Sequence, residues 1–429
     1  MKTKSEILNM ISDEDIEFIR LQFTDMFGNL RNIAVTSGQI ERVLDNKQTF
    51  SGDDIFNDSE CEEELYLYPD LDTFTVLPWR PQHGKVARML CDIYLPDGTP
   101  YELSPRTILK NVSDKLKKQG YTSYFDSECE FFLFHTDEFG NPSTLTHEHA
   151  SYLDVGPIDL GENARRDMVF SLVDMGFEIE SSHHEKAPAQ HEIDFKQASS
   201  LPAADAVVTF KNAVRSVARR SGLHATFMPK PKGDVPGSGM HFNISLYKDM
   251  KNVFEPDDGI SDEARWFIGG ILAHAPAMCA VTNPLVNSYK RLSGGMDSPC
   301  DIVWTMKNIN ALIRYRVRND EETKIEIRFP DPSANPYLAI AVCIAAGMDG
   351  IRNKIEPDTP VCRGYDRNTV KRLPETLGEA LNCFKNDELM SECFGKKFVE
   401  LYYNAKNNEW HDYMSCVSDW EYEKYLYRT

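Results

Sequence analysis

The amino-acid sequence predicts an α+β protein with a small N-terminal unit and a larger domain built on an antiparallel sheet. Three observations support this prediction. Strand-like alternation dominates roughly the first hundred residues, several long helix-like segments follow, and short half-polar strands lie between those segments. With 429 residues, the chain is long enough for two or three domains.

The N-terminal unit contains short strands after one helix. The opening MKTKSEILNMISDED has the pattern of an amphipathic helix, and residues 17–35 alternate around a DMFG turn, which is typical of a hairpin. Further strand-like runs are YLYPDLDTFTVLPW and KVARMLCDIYLP. We assign residues 14–100 to this domain. The second domain starts at residue 104, because Ser104-Pro105 is a typical helix start.

The second domain, residues 104–429, alternates long helices with short strands. No internal repeat or low-complexity tract interrupts it. The short strands carry most of the candidate functional residues. The predicted helices are PRTILKNVSDKLKKQG, ENARRDMVFSLVDMG, AADAVVTFKNAVRSVARRSG, DEARWFIGGILAHAPAMCAV and NPYLAIAVCIAAGMDGIRNKI.

Composition argues against several classes of partner. The net charge is −20 and the pI is near 5, so there is no basic surplus to neutralise nucleic-acid phosphates or to bind an anionic membrane. The ten cysteines are scattered without a CxxC pair, which argues against a zinc site or a disulfide framework. No signal peptide or membrane span is predicted. We expect a cytoplasmic protein that acts on small molecules.

Four strand-like segments carry polar residues at every second position. Because residues i and i+2 of a strand project from one face, the polar side chains of each segment point together. The same pattern is expected for the solvent-facing side of an open antiparallel sheet, so the pattern alone does not identify a site. The polar residues are Glu128 and Glu130 in SECEFFLF, Glu192 and Asp194 in QHEIDF, His241, Asn243 and Ser245 in SGMHFNISL, and Lys324, Glu326 and Arg328 in TKIEIRF.

The kinds of side chain on this polar face favour a metal site. Glutamates with one histidine form a hard, oxygen-rich ligand set that suits Mg²⁺ or Mn²⁺ and is large enough for two ions. Two ions with nearby arginines are what phosphoryl transfer from ATP requires. The candidate ligands are Glu128, Glu130, Glu185, Glu192, His241 and Glu326, and the arginines are Arg291, Arg314 and Arg328.

Several segments, in order along nearly the whole chain, resemble type I glutamine synthetases of bacteria and archaea. They are FTDMFGNLRN, SECEFFLF, SSHHEKAPAQHEIDF, HATFMPKP, GSGMHFNISL, NSYKRL, EIRFPDPSANPYLAIA and LPETLGEAL. The resemblance implies an ATP-dependent ligase that joins glutamate to ammonia through an acyl phosphate. It also implies a β-grasp N-terminal domain and a catalytic domain with a curved antiparallel sheet. The implied assembly is a homododecamer of two hexameric rings, with active sites between neighbouring subunits.

The resemblance also assigns a role to each candidate residue. It divides the metal ligands into a set near the acid substrate, Glu130, Glu185 and Glu192, and a set near the ATP phosphates, Glu128, His241 and Glu326. The residues implied to contact substrate or phosphate are Arg291, Arg314, Arg328 and Gly237, and those implied to face the nucleotide are Asn243, Ser245 and Lys324. Tyr152 and Glu185 match the ammonium site, and Asp297 matches a glutamate of the flap that closes the site. The neighbouring histidines are left with structural roles: His183, His184 and His191.

The sequence departs from the family pattern around the ammonium and phosphate sites. Ser51 replaces an aspartate that helps bind ammonium, and Ile309 replaces an arginine that contacts phosphate. Asp297 is shorter than the glutamate it replaces, Lys324 replaces an arginine, and Pro236 replaces an asparagine. All six candidate metal ligands are retained. Three functions therefore stay open: glutamine synthesis, γ-glutamylamide synthesis with a larger amine, and a non-catalytic paralogue that binds nucleotide or a partner synthetase.

Overall fold

The computed structural model describes residues 2–56, 58, 64–80, 83–256, 258–293, 298–318 and 321–427. The helices are α1 (Lys4–Asp13), α2 (Ile40–Leu44), α3 (Asp53–Phe56), α4 (Pro105–Lys118), α5 (Glu162–Asp174), α6 (Ser200–Arg220), α7 (Asp262–Thr282), α8 (Val286–Ser293), α9 (Pro336–Asn353), α10 (Leu377–Asn386), α11 (Glu388–Phe394), α12 (Lys396–Ser415) and α13 (Asp419–Tyr425). The strands are β1 (Ile16–Thr24), β2 (Leu30–Thr36), β3 (Gln48–Ser51), β4 (Glu64–Pro69), β5 (Thr75–Val76), β6 (Lys85–Tyr94), β7 (Tyr121–Cys129), β8 (Phe131–His135), β9 (Ile179–His184), β10 (Gln190–Phe195), β11 (Ala198–Ser199), β12 (Leu223–Thr226), β13 (Met240–Lys248), β14 (Lys251–Asn252), β15 (Trp304–Thr305), β16 (Ile313–Arg318) and β17 (Glu321–Ile327).

The N-terminal sheet has the strand order β2-β1-β6-β4-β3, with β5 paired to β6. β1 and β2 form the predicted antiparallel hairpin, whereas β6 runs parallel to β1. In the turn between β1 and β2, the Asp25 carboxylate accepts hydrogen bonds from the N–H groups of Phe27 (3.0 Å) and Asn29 (2.9 Å). A Cβ added at Gly28, whose φ is +84°, would lie 3.0 Å from the Cα of Asn335. The hairpin turn therefore packs closely against the start of α9.

A buried ion cluster joins the N-terminal sheet to the helices behind it. Arg106, in the first turn of α4, is 4% exposed and forms ion pairs with Asp70 (2.6 Å), Asp92 (2.6 Å) and Asp205 (2.9 Å). Asp92 lies on β6 and Asp205 lies on α6, so one guanidinium group connects three elements. As predicted, α4 begins at Pro105, although the Ser104 side chain makes no capping hydrogen bond.

The larger part of the chain contains two sheets. One has the order β12-β8-β10-β9, and the other has the order β11-β7-β13-β17-β16-β15 with β14 paired to β13. The predicted polar strands therefore do not form one open face, because β10 belongs to a different sheet from β7, β13 and β17. The assumption that Glu128 and Glu130 share one strand is also wrong, since β7 ends at Cys129. The Glu130 N–H donates to the carbonyl of Gly239 (3.1 Å), so the chain leaves one sheet there and enters the other.

Helices α7 and α9 pack together in the core of the larger part of the chain. An added Cβ at Gly270 of α7 would lie 2.1 Å from the Ala346 carbonyl oxygen of α9. By length and composition α7 would also suit a membrane span, with a mean hydropathy of 1.2 over its most apolar window, but 67% of that window is buried inside the fold. In this structure α7 is a core helix.

Candidate active site

The first group of candidate ligands lies on three adjacent strands of the larger sheet. Strand pairing places His241 of β13 directly opposite Glu128 of β7, and Asn243 of β13 opposite Glu326 of β17. The Nδ1 atom of His241 lies 3.0 Å from Glu128 Oε2 and 3.9 Å from Glu326 Oε1. One ligand atom from each of Glu128, His241 and Glu326 falls within 4.8 Å of the other two. Backbone register therefore brings this predicted ligand set together.

Three arginines surround the buried Glu326 carboxylate. Arg328 Nε lies 3.1 Å from Glu326 Oε1, Arg316 Nε lies 3.3 Å from Oε2, and Arg314 Nη1 lies 3.5 Å from Oε1.

Glu128, in the same ligand group, has a lowered pKa. Burial raises that pKa, but the hydrogen bond and charge of His241, together with Asn243 and Arg316, outweigh burial and lower it to about 2. An ionised carboxylate is the form that binds a metal ion.

The second group lies at the end of the β9–β10 hairpin. Glu192 of β10 stands opposite His183 of β9, and Glu185 follows β9 with its N–H donating to the Gln190 carbonyl (2.8 Å). His183 Nε2 lies 3.0 Å from Glu185 Oε1. One ligand atom from each of His183, Glu185 and Glu192 lies within 4.8 Å of the others. The structure thus places His183 among candidate ligands, whereas the sequence had suggested only a structural role for it.

Glu130 lies at the joint between the two sheets, beside the second group. Its Oε2 atom accepts hydrogen bonds from Gln190 Nε2 (2.7 Å) and from the Gly239 N–H (2.9 Å). Burial and the nearby Glu185 charge raise the Glu130 pKa, although His241 opposes them. Burial and neighbouring carboxylates, first that of Asp194, raise the Glu192 pKa well above its ordinary value.

These buried carboxylates fit a divalent cation. Like charges placed together in a buried site favour retention of a proton unless a cation is present. Both ligand groups combine carboxylate oxygens with a single imidazole, which is the donor set that Mg²⁺ and Mn²⁺ accept. The side chains present in both groups are therefore suited to hold such ions.

A cavity of about 520 Å³ adjoins the first ligand group and is lined by cations. Arg314 and Arg328, both ion-paired to Glu326, form part of its wall. No carboxylate is present among the described residues that line it. The lining residues are Lys186, Asn308, Ile309, Asn310, Arg314, Arg328, Arg363, Gly364 and Tyr365. Such a wall favours an anionic ligand such as a phosphate group.

A second cavity, of about 760 Å³, adjoins Glu128 on another side. Two of the predicted nucleotide residues, Asn243 and Lys324, line it. Lys324 Nζ lies 2.7 Å from Asp126 Oδ2, and burial raises the pKa of Asp126 to about 6 despite that lysine. The third, Ser245, is fully buried and donates to Gln197 Oε1 over 3.4 Å, so the structure does not bring it to the cavity wall with the other two.

The remaining predicted residues surround the ligand groups. Arg291 is 3% exposed and donates to the carbonyls of Phe329 (2.8 Å) and Arg328 (3.2 Å). The Gly237 carbonyl accepts from Gln190 Nε2 (3.2 Å). The half-exposed Tyr152 ring lies 5.9 Å from the His183 ring, centroid to centroid. Asp297 lies outside the described residues.

Sequence reasoning missed several residues that the structure brings into the site. Arg316 carried a usable signal, because it follows Arg314 by two residues and shares its strand face. Gly239 carried a weaker one as part of a Gly-rich loop. An added Cβ there would lie 2.8 Å from Arg291 Nη2 and 2.9 Å from His241 Nε2. Gln190 gave no signal, since its contact with Glu130 depends on how two sheets meet.

Comparison with known proteins decides the family. The family model described as glutamine synthetase, catalytic domain, matches residues 102–425, and the model described as glutamine synthetase, beta-Grasp domain, matches residues 15–96. The chain belongs to the glutamine synthetase family. The predicted family and α+β fold class, with its N-terminal β-grasp domain, are therefore confirmed. The matched ranges lie close to the predicted domains, whose limits stay predictions.

Individual relatives in the glutamine synthetase family span nearly the whole chain. The glutamine synthetase of Clostridium saccharobutylicum is 48% identical and that of Thermus thermophilus is 47% identical, each over 99% of this chain and over 98% and 99% of the relative. Among solved structures, a GmaS/ADP complex is similar with a TM-score of 0.88 at 30% identity, over 98% of this chain and 99% of that chain. Glutamine synthetases are carbon–nitrogen ligases, so this chain belongs to an enzyme family of that class.

Proposed function

We propose that this glutamine synthetase family member forms an amide from glutamate and ammonia, using ATP and an acyl-phosphate intermediate. The observation that carries the proposal is the first ligand group, which adjoins both the arginine-lined cavity and the cavity that holds Asn243 and Lys324. That arrangement would place a divalent ion between a cavity for the nucleotide and a cavity for the phosphate group that is transferred. The names of the full-length relatives support the same activity.

The first ligand group would act on the phosphates. Glu128, His241 and Glu326 would hold a divalent ion, which when bound supplies positive charge to the phosphate oxygens. Arg314 and Arg328 orient the transferring phosphoryl group and stabilise the charge that develops on it. Because Glu326 already fixes both guanidinium groups, little reorganisation is needed when ATP binds.

The second ligand group would act on the acid and the amine. Glu130, Glu185 and Glu192 would hold the ion nearer the glutamate carboxylate, with His183 close enough to share in that site. Glu185 lies beside His183, which in turn contacts the Tyr152 ring, so these residues are placed to take a proton from ammonium. Removal of that proton converts ammonium into ammonia, whose nitrogen would form a bond to the acyl carbon while the bond from that carbon to the phosphate oxygen breaks and inorganic phosphate leaves.

A larger amine is the second candidate for the nitrogen donor. The observation that favours it is Ser51, which replaces the ammonium-binding aspartate of the family pattern and whose hydroxyl hydrogen-bonds Asp53. The solved structures of GmaS share the fold over almost the full length, and one was determined with ADP. A non-catalytic paralogue is less favoured, because all six candidate metal ligands are retained in the site.

The decisive experiment is ATP-dependent phosphate release with Mg²⁺ or Mn²⁺ and glutamate, with ammonia compared against a panel of primary amines. Glu326→Gln is expected to abolish release, and Glu138→Gln, which is exposed and lines neither cavity, serves as the matched control. Release that requires glutamate and ammonia supports glutamine synthesis. Release only with a larger amine supports the second candidate. Nucleotide binding without release under any condition would refute both and leave the non-catalytic paralogue.

Assembly belongs to the same proposal. The C-terminal segment after α12 exposes several large apolar side chains, including Val417 (60%), Trp420 (56%) and Tyr427 (93%). Apolar side chains concentrated in one exposed segment favour contact with another protein surface. We expect a cytoplasmic homo-oligomer with the dodecameric ring arrangement of the family, to be tested by light scattering and by imaging of single particles.

A further inference from the structure

We propose that Arg363 binds the phosphate group in the active site. It would supply the positive charge that an isoleucine at position 309 cannot supply. The proposal rests on the function proposed above, since it concerns the arginine-lined cavity. Ile309 and Arg363 both line that cavity but come from separate segments of the chain. An arginine lost from one segment would thus be compensated from another.

The backbone holds Arg363 in place at the cavity wall. A turn from Cys362 to Tyr365 is closed by a hydrogen bond from the Tyr365 N–H to the Cys362 carbonyl (3.2 Å). Gly364 has a φ of +87°, a conformation that favours glycine, and it directs the chain sharply after Arg363. Arg363 is therefore presented at the tip of a defined turn.

Both sides of this turn are attached to the strand that leads to Ile309. Before the turn, the Val361 N–H donates to the Trp304 carbonyl (2.9 Å), and the Thr305 hydroxyl donates to the Val361 carbonyl (2.8 Å). After the turn, the Tyr365 hydroxyl donates to Asp301 Oδ2 (2.7 Å). The position of the turn relative to the segment that leads to Ile309 is thus set by hydrogen bonds on either side of the turn.

The charges around the cavity distinguish Arg363 from its neighbours. Arg314 and Arg328 each form an ion pair with Glu326. Arg314 also donates to the Ile309 carbonyl (3.0 Å), and Arg328 also donates to Asn310 Oδ1 (2.9 Å). Arg363 is exposed, and within the described part of the chain no ion pair involves it. Arg363 therefore lines the cavity with a charge that no carboxylate of the described residues shares, in a protein whose net charge is −20. A phosphoryl group is the ligand that this set of cations suits best.

A double-mutant cycle with Ile309→Arg separates this role from that of an ordinary surface arginine. The four proteins are wild type, Arg363→Gln, Ile309→Arg and the double variant. Exposed Arg220→Gln at the end of α6 serves as the control, and Arg363→Lys tests rescue by charge alone. The readouts are kcat and KM for phosphate release, and the calorimetric affinity for inorganic phosphate in the presence of ADP and Mg²⁺.

We expect Arg363→Gln to lower both kcat and phosphate affinity roughly 10- to 100-fold, the effect of losing one charge-assisted hydrogen bond. In the Ile309→Arg background, Arg363→Gln should lower kcat and phosphate affinity by less than about threefold, because the arginine at position 309 makes that contact instead. Arg363→Lys should recover part of the loss, and Arg220→Gln should change nothing.

Two results would overturn the proposal: no effect of Arg363→Gln, or an equal effect in both backgrounds. The thermal unfolding midpoint of each variant shows whether that variant is folded. The midpoint of Arg363→Gln should equal that of the wild type, because Arg363 is exposed. If the wild-type protein releases no phosphate with any acid or amine, the proposed function fails. The phosphate-binding arm of the experiment still tests Arg363 in that case.

Discussion

Glu192→Gln is expected to stabilise the metal-free protein and to remove the stabilisation that Mg²⁺ or Mn²⁺ gives at the second ligand group. Candidate ligand atoms of Glu185 and Glu192 lie within 4.8 Å of each other, and Glu192 is 6% exposed. At an effective dielectric constant of about 20, two unit charges at that distance repel by ~3.5 kcal/mol. Proton retention relieves part of this repulsion, so we expect the free energy of unfolding to rise by about 1–2 kcal/mol at neutral pH.

The pH dependence follows from the direction of the Glu192 pKa shift. Burial and the neighbouring carboxylates raise its pKa in the folded state above the ordinary value of 4.5. The folded protein therefore binds more protons than the unfolded chain, and the stability of the metal-free wild type falls as pH rises above 4.5 through the folded pKa. The Gln variant lacks this contribution, so the two stability curves should separate towards higher pH and converge in acid.

Urea unfolding of chelator-treated protein, with and without millimolar Mg²⁺ or Mn²⁺, measures both effects. A metal at about 100 times its dissociation constant for the second ligand group stabilises the wild type by ~2.7 kcal/mol, and the variant should lose this gain while it keeps the gain from the first ligand group. Glu138→Gln, which is exposed and lines neither cavity, is the matched control and should change neither curve. A metal-free Glu192→Gln protein less stable than wild type would refute the reasoning, since it would show that the ionised carboxylate stabilises the fold without a cation.

Three further substitutions test other parts of the structure. Glu148 positions the β9–β10 hairpin, because its carboxylate accepts hydrogen bonds from His184 Nε2 (2.7 Å) and the Leu160 N–H (2.8 Å). Glu148→Gln should therefore weaken Mn²⁺ binding, measured by titration, about 10-fold. Burial opposes its ionisation, but hydrogen bonds and nearby histidines lower its pKa to about 2. Its stabilising contribution is therefore present above pH 4.5 and lost as pH falls to about 2, and the variant should show a shallower decline in urea unfolding over that window. Arg106→Met removes the ion-pair partner of the buried Asp205, whereas Asp92 keeps Lys110, and it should lower the free energy of unfolding by about 3–5 kcal/mol, partly restored by adding Asp205→Asn; full stability of the single variant would contradict this. Gly239→Ala places a methyl group within 3 Å of His241 and Arg291 and should lower kcat on the order of 100-fold, whereas Gly233→Ala, with open space around it, should not.

Local sequence pattern was sufficient for much of the fold. The β1–β2 hairpin followed from alternation and turn residues, and the start of α4 followed from Ser104-Pro105. Period-2 spacing put Glu128, His241 and Glu326 each on the polar face of its own strand, and the register of adjacent strands brings the three together. Their role as metal ligands stays a prediction. These inferences depend on the chain within a few residues of each position, where steric preferences and periodicity act.

Contacts between sheets were not accessible in the same way. The split between the two sheets depends on a backbone hydrogen bond from Glu130 to Gly239, residues more than a hundred positions apart in sequence. The hydrogen bonds between Glu148 and His184 and between Gln190 and Glu130 likewise join different segments of the chain. No periodicity encodes such contacts, because they depend on how complete sheets and loops meet.

The joint at Glu130 has a consequence for how the reaction could be tuned. The first ligand group lies on the larger sheet and the second group lies on the β9–β10 hairpin of the smaller sheet. The separation between the two ligand groups therefore depends on the backbone hydrogen bond between Glu130 and Gly239, where the two sheets meet. A small rotation of one sheet against the other would change the distance between the two ligand groups while the contacts within each group stayed the same. Chemical reactivity could then vary among relatives with identical ligands through residues that only set the angle between the two sheets.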